Sequence, residues 1–214
     1  MNDETGELIP TRWTLIAKLK DWDDQESWRE FFDTYWRLIY GVAIKSGLTH
    51  AEAQDVVQET VRSVSKSMKE FKADPAFGSF KSWLLNLTRW RITDQVRRRG
   101  REVRLADGGM PPGSGTDSKG TAIEARIPDP AGNAFDRIWE DEWEKHVTEA
   151  ALEKLKQQTS ARHYQIFYLH AIKQVAPAKV AETLGINVDQ VYLVKHRLTK
   201  LFEEAIKEVE TNVG

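Results

Sequence analysis

Cysteine is absent from the 214 residues of this chain. The chain can therefore form no disulfide, and it offers no thiol nucleophile and no cysteine ligand for zinc or an iron–sulfur cluster. Long apolar runs are also lacking, since none approaches the roughly 20 residues of a membrane-spanning helix. The first seven residues are acidic and polar, unlike the basic and apolar start of a signal peptide. We therefore expect a cytoplasmic protein without membrane insertion.

The five histidines lack the spacing of a catalytic or metal site. They lie in separate segments, and no H-x-x-x-H or H-E-x-x-H pattern occurs. The glycine-rich stretch 108–115 has no preceding strand, no lysine and no following helix, all of which a phosphate-binding loop needs. The sequence therefore predicts a protein that is not an enzyme and has no catalytic residue, cofactor or metal site.

Positive charge is concentrated in one segment of an otherwise acidic chain. Residues 81–104 contain eight basic and two acidic side chains, a local charge of +6, so that the net charge of −2 leaves −8 for the rest. Such a segment is typical of a face that binds a polyanion, although an arginine run also occurs at solvated helix ends.

The apolar pattern predicts an all-α fold. Apolar residues recur every three or four positions through nearly the whole chain, and no stretch alternates as a strand does. We predict an N-terminal extension with a first short helix (1–24) and a helical bundle (25–104). A flexible linker rich in Gly, Pro, Ser and Asp follows (105–133), and a second small helical domain completes the chain (134–214).

Two local signals mark helix ends in the bundle. Thr49 and Glu52 have the spacing of a capping box, which predicts that a helix starts there. Gly100 follows the Arg97–Arg99 run and is predicted to end the basic helix.

The second domain contains the pattern of a helix-turn-helix. In PAKVAETLGINVDQVYLV, Pro177 suits a first helical position, Ala181 is small where two helices cross, and Gly185 can adopt the positive φ that ends a helix. Asn187 can then cap the next helix, whose outer face would read bases and contact phosphates. The plainer interpretation is a packed helical corner, which leaves the separate basic helix unexplained.

These segments together resemble bacterial RNA polymerase sigma factors of the extracytoplasmic-function (ECF) group of the sigma-70 family. The resemblance covers about residues 25–104 and 135–206. AEAQDVVQET (51–60) is similar to the family's core-polymerase-binding helix, and GSFKSWLLNLTRWRITDQVRRR (78–99) to its segment that melts and reads the minus-ten element. VYLVKHRLTKL (191–201) is similar to the helix that reads the minus-thirty-five element.

The resemblance implies core RNA polymerase and promoter DNA as partners, with an anti-sigma factor as a further one. The residues expected to bind core polymerase are Asp55, Gln58, Glu59 and Arg62. The residues expected to contact the minus-ten region are Asn86, Arg89, Trp90, Arg91, Arg97, Arg98 and Arg99. Those expected to contact the minus-thirty-five element are Asn187, Gln190, Tyr192, His196, Arg197 and Lys200.

Two other classes of protein stay open at this point. A two-domain helix-turn-helix regulator that does not bind polymerase would explain the second domain, but neither the basic helix nor the DVVQET segment. A purely structural helical scaffold would explain neither basic feature.

Overall fold

The computed structural model describes residues 12–21, 23–68, 71, 80–106 and 132–211. In these ranges the regular elements are all helical, which confirms the predicted all-α fold. They are α1 (Arg12–Lys18), α2 (Gln25–Lys45), α3 (His50–Ser67), α4 (Phe80–Ala106), α5 (Gly132–Gln158), α6 (Ala161–Phe167), a π-helical turn (Tyr168–Ile172), α7 (Pro177–Leu184) and α8 (Val188–Thr211).

The chain divides into two compact units, Thr14–Trp143 and a second unit that includes Glu144–Gly214. The division lies inside α5, so the first half of this helix belongs with α2–α4. The sequence prediction placed the start of the second domain at residue 134 instead. Most of the predicted linker, residues 107–131, lies outside the described ranges.

The core of the first unit forms where α3 packs against both α2 and α4. Phe31 and Tyr35 of α2 meet Phe80 of α4, with ring centroids 6.4 and 5.4 Å from the Phe80 ring. The valine stripe of α3, including Val56 and Val64, is buried, as the 3.6-residue period predicts. The α3–α4 packing fixes which side chains of each helix remain exposed.

α4 is longer than the sequence predicted. The helix continues past Gly100 to Ala106, so the prediction that Gly100 ends it is wrong. One glycine inside a helix costs only about 1 kcal/mol relative to alanine. The arginines on both sides of Gly100 are good helix formers, which explains why one glycine does not end α4.

The second unit contains the predicted helix-turn-helix. Pro177 stands at the first position of α7, and Gly185 ends it with φ 61° and ψ 45°, in the left-handed region. Ala181 is buried, as the crossing of α7 and α8 requires. The shared core consists of Leu152, Leu155, Ile166, Phe167, Val180, Ala181, Val191, Val194 and Leu198.

Candidate functional site

The start of α3 is joined to the basic helix α4 by Glu52 and Arg99. The predicted capping box is present: Glu52 Oε2 accepts the Thr49 backbone N–H at 2.8 Å, and Thr49 Oγ1 accepts the Glu52 N–H at 3.4 Å. Arg99 donates from Nε to Glu52 Oε1 at 2.7 Å and from Nη2 to Glu52 Oε2 at 2.5 Å. Arg99 Nη2 also lies 3.3 Å from the Gly47 carbonyl oxygen.

This contact lowers the pKa of the Glu52 carboxyl to about 2, mainly through the hydrogen bonds from Arg99 and then those from Thr49. Arg99, predicted to contact DNA, is thus occupied in positioning α4 against α3.

Arg91 is a second arginine of α4 that faces α3. Its Nε and Nη2 donate to Ser63 Oγ at 2.9 and 2.6 Å, and Nη1 lies 3.7 Å from Glu59 Oε2. Only 16% of the Arg91 side chain is exposed. Burial lowers the pKa of Arg91, and the Glu59 carboxylate opposes that shift. The sequence placed Arg91 among the DNA contacts, whereas its donors here hold α3.

The four residues predicted to bind polymerase lie together on one face of α3. Asp55, Gln58 and Arg62 are exposed and Glu59 is half-buried, and their spacing of three and four residues puts them on one side of a helix. Arg62 Nη1 pairs with Glu59 Oε1 at 2.8 Å. Because Glu59 also faces Arg91, this α3 face is linked directly to α4.

The outer face of α4 carries the exposed part of the predicted minus-ten set. Asn86, Trp90 and Arg97 are exposed, and their separations of four and seven residues place them on one side of the helix. Arg98 is also exposed and pairs with Asp94 at 2.8 Å. The Arg91 guanidinium lies 4.1 Å from the Trp90 ring centroid, so it supports this aromatic side chain.

The first half of α5 contacts the remaining predicted residue, Arg89. Asp136 forms an ion pair with Arg89, and the Arg89 guanidinium lies 4.8 Å from the Phe135 ring centroid. A phosphate that binds Arg89 would therefore compete with the Asp136 carboxylate for this guanidinium.

Two further ion pairs join the same half of α5 to the first unit. Lys81 pairs with Glu140 at 2.5 Å, and Lys45 of α2 pairs with Glu142 at 2.9 Å. Sequence reasoning missed these acidic partners. The one signal that could have pointed to them was the acidic character of α5, which balances an arginine-rich helix.

The predicted minus-thirty-five residues fall into two groups. Asn187 and Gln190 cap α8: Asn187 Oδ1 accepts the Asp189 N–H at 3.2 Å, and Gln190 Oε1 accepts the Asn187 N–H at 3.3 Å. Asn187 therefore caps this helix, as the sequence predicts.

The other group consists of Tyr192, His196, Arg197 and Lys200, all exposed on α8. They lie opposite the buried Val191, Val194 and Leu198. The Tyr192 ring meets His170 edge to face, with centroids 5.9 Å apart. Together they form a polar and cationic surface on the second helix of the helix-turn-helix.

Metal-binding and membrane-spanning features are both lacking in the described ranges. No three His, Cys, Asp or Glu side chains there are grouped so that they could hold a metal ion. Likewise, none of the helices in the described part of the chain combines the length and apolarity that crossing a membrane requires.

Comparison with known proteins identifies one matching family and one similar protein. The family model "Sigma-70 region 2" matches residues 31–102. The "ECF RNA polymerase sigma factor SigE" of Mycolicibacterium smegmatis is 33% identical over 100 residues, which cover 47% of this chain and 35% of that relative. The chain thus spans about a third of the length of this curated relative.

One solved structure, of CnrH in complex with the cytosolic domain of CnrY, aligns over 92% of this chain and 97% of that chain, at 18% identity and a TM-score of 0.35. A likeness this low supports no conclusion.

The matched range 31–102 contains α3, nearly all of α4 and the contacts that join them. Residues 31–102 therefore match the sigma-70 region 2 family, and a stretch of 100 residues of the chain is similar to an ECF sigma factor.

Proposed function

We propose that this chain binds core RNA polymerase and directs transcription initiation at specific promoters. The observation that carries the proposal is the arrangement inside the region 2 domain: one exposed polar face on α3, and one exposed face of α4 with Asn86, Trp90 and Arg97. The Arg99–Glu52 and Arg91–Ser63 contacts hold the two helices in register. A polymerase contact on α3 would then fix where α4 meets DNA.

In this proposal the outer face of α4 contacts the minus-ten element. Strand separation exposes bases that an aromatic ring can stack on and an amide can hydrogen-bond, and Trp90 and Asn86 provide these groups. Among the arginines of α4 whose side chains are described, Arg97 and Arg98 are the exposed ones, so we assign the phosphate contacts to them. Arg91 and Arg99 act as positioning residues.

The second unit is proposed to read the minus-thirty-five element through α8. Helix-turn-helix proteins place the second helix in the major groove, with its first turns at the base edges. Tyr192 and His196 lie on the exposed side of those turns, and Arg197 and Lys200 follow. An anti-sigma factor as a further partner stays a prediction from the sequence.

Reconstitution with bacterial core RNA polymerase tests the proposal. The wild-type chain should co-elute with core enzyme and support promoter-dependent transcription. Asp55→Lys should weaken the complex at least several-fold, because it reverses an exposed charge at the N-terminal end of the α3 face. Glu203→Lys, the same charge change on exposed α8, is the matched control.

Full assembly of holoenzyme by Asp55→Lys would show that the α3 face is not the docking surface. The alternative function, a helix-turn-helix regulator, predicts instead that the wild-type chain binds duplex DNA and never associates with core enzyme. The region 2 match over residues 31–102 favours the sigma factor.

A further inference from the structure

The most exposed large apolar side chains of the described residues are two neighbours on α8. Leu193 is 66% exposed and Tyr192 is 53% exposed. Both stand within the first six residues of a helix that starts at Val188. Single exposed apolar residues are ordinary on protein surfaces, but an adjacent pair at this place in a helix-turn-helix is a candidate contact surface.

Leu193 projects away from the hydrophobic core of the second unit. Val191 and Val194, its near neighbours along the helix, are buried, with exposures of 0% and 7%. His196, Arg197 and Lys200 are three, four and seven residues farther along, so they share the side of α8 that carries Leu193. Groups that suit a polyanion thereby follow this apolar side chain along the helix.

We propose that Leu193, flanked by Tyr192, contacts thymine methyl groups in the major groove and so helps to select the promoter sequence. The proposal rests on the proposed role of α8 in reading DNA. Among the four bases, only thymine presents an apolar group, its C5-methyl, in the major groove.

Charge and position favour DNA over an apolar protein partner on this surface. Within the two turns that follow Leu193, the residues on its side of the helix are His196, Arg197 and Lys200, whereas an acidic residue, Asp189, lies one turn before it near the helix N-terminus. Cations in this position neutralise phosphates on either side of the groove. The first turns of the helix are the part that meets base edges.

The experiment uses the full chain assembled with core RNA polymerase. Duplexes with a randomised upstream element are selected for binding, and the selected duplex is synthesised again with deoxyuridine in place of each thymine in turn. Deoxyuridine removes only the C5-methyl group. We expect about fourfold weaker binding at one or two thymines, the change that corresponds to about 0.8 kcal/mol for one buried CH₂ group.

Variants of Leu193 assign the effect to this side chain. Leu193→Ala should bind thymine and deoxyuridine duplexes equally, while Leu193→Met should restore part of the preference. Leu201→Ala, which truncates another exposed leucine two turns farther along α8, is the matched control and should retain the full thymine preference. Circular dichroism and thermal unfolding check that each variant is folded.

The outcomes separate this inference from the proposed function. Equal binding of thymine and deoxyuridine duplexes by wild-type holoenzyme overturns the thymine contact, as does a preference that Leu193→Ala keeps. Selection that enriches no upstream element, although holoenzyme forms, overturns the proposed role of α8 itself. Loss of holoenzyme in Leu193→Ala would identify the pair as a protein-docking surface and also overturn the inference.

Discussion

Glu52 has two tasks at the start of α3, and both require its charged form. The carboxylate closes the capping box with Thr49 and accepts two hydrogen bonds from Arg99. Its pKa is about 2 in the folded protein, compared with an ordinary value of 4.5. A lowered folded pKa stabilises the fold fully above the ordinary pKa, and this stability is lost as the pH falls towards the folded value.

Glu52→Gln should therefore lower the midpoint of thermal unfolding at pH 7, and the difference from the wild type should shrink as the pH falls from about 4.5 to about 2. Thermal melts followed by circular dichroism across this pH range measure the effect. Glu204→Gln, on the exposed surface of α8, is the control and should melt like the wild type throughout. A constant difference at all pH values would contradict the role of the Glu52 charge.

The arginines of α4 should separate into two classes under mutation. Arg91→Ala removes the donors to Ser63 and leaves Glu59 with less compensation, so it should lower the unfolding free energy by about 1–3 kcal/mol. Arg97→Ala should leave the unfolding free energy unchanged within about 0.5 kcal/mol, because Arg97 is exposed.

For DNA binding by holoenzyme we expect the larger effect from Arg97→Ala rather than from Arg91→Ala. Removal of one cation that neutralises a phosphate reduces the slope of log K against log salt by about 0.9, so Arg97→Ala should flatten the salt dependence by about that amount. Urea denaturation and salt titration measure the two properties. If Arg91→Ala proved as stable as Arg97→Ala, the assignment of Arg91 as a positioning residue would be wrong.

At the scale of elements, the turn between α7 and α8 depends on the backbone of Gly185. Its φ of 61° lies in the left-handed region, and a Cβ atom placed on it would have no heavy atom within 4 Å. Any cost of a side chain there is thus conformational rather than steric. A non-glycine residue in this region costs roughly 1–2 kcal/mol, with asparagine the best tolerated.

Gly185→Ala should therefore destabilise the second unit by about 1 kcal/mol, and Gly185→Asn should cost less. Hydrogen–deuterium exchange of α7 and α8 measures this, because exchange reports the stability of that unit by itself. Faster exchange in the alanine variant than in the asparagine variant is expected. Equal protection in the two variants would show that the turn relaxes out of the left-handed conformation.

At the scale of the whole molecule, the predicted linker interrupts a unit that side-chain contacts hold together. The first half of α5 follows residues 107–131 in the chain, yet its acids pair with Lys45, Lys81 and Arg89. Cleavage at a protease site inserted within residues 107–131 should therefore leave two fragments that co-elute in size-exclusion chromatography at low salt. Ion pairs between exposed groups weaken as salt shortens the Debye length, so high salt should favour separation.

Charge reversal of Asp136 and Glu140 together should separate the cleaved fragments even at low salt. The matched control reverses Glu144 and Glu149, two exposed acids farther along the same helix, and those fragments should remain together. Separation of the wild-type fragments at low salt would show that the α5 contacts do not join them.

What the sequence by itself determined is local in origin. The helical period, the Thr49–Glu52 capping box and the glycine between α7 and α8 all depend on residues within a few positions of one another. Such signals are readable in one dimension because neighbours in a helix or turn are neighbours in sequence. The end predicted at Gly100 was wrong for a related reason, since a glycine signal is weak when strong helix formers surround it.

Only the tertiary structure decided which basic side chains remain available. Arg99 and Glu52 are 47 positions apart, Arg91 and Ser63 are 28, and Arg89 and Asp136 are 47. An arginine in a run has the same chemistry whether it faces solvent or another helix, so composition and spacing cannot distinguish Arg97 from Arg99. When α4 packs on α3, one face of α4 is buried and the other stays exposed, and this separates the arginines that hold the two helices together from those that remain accessible.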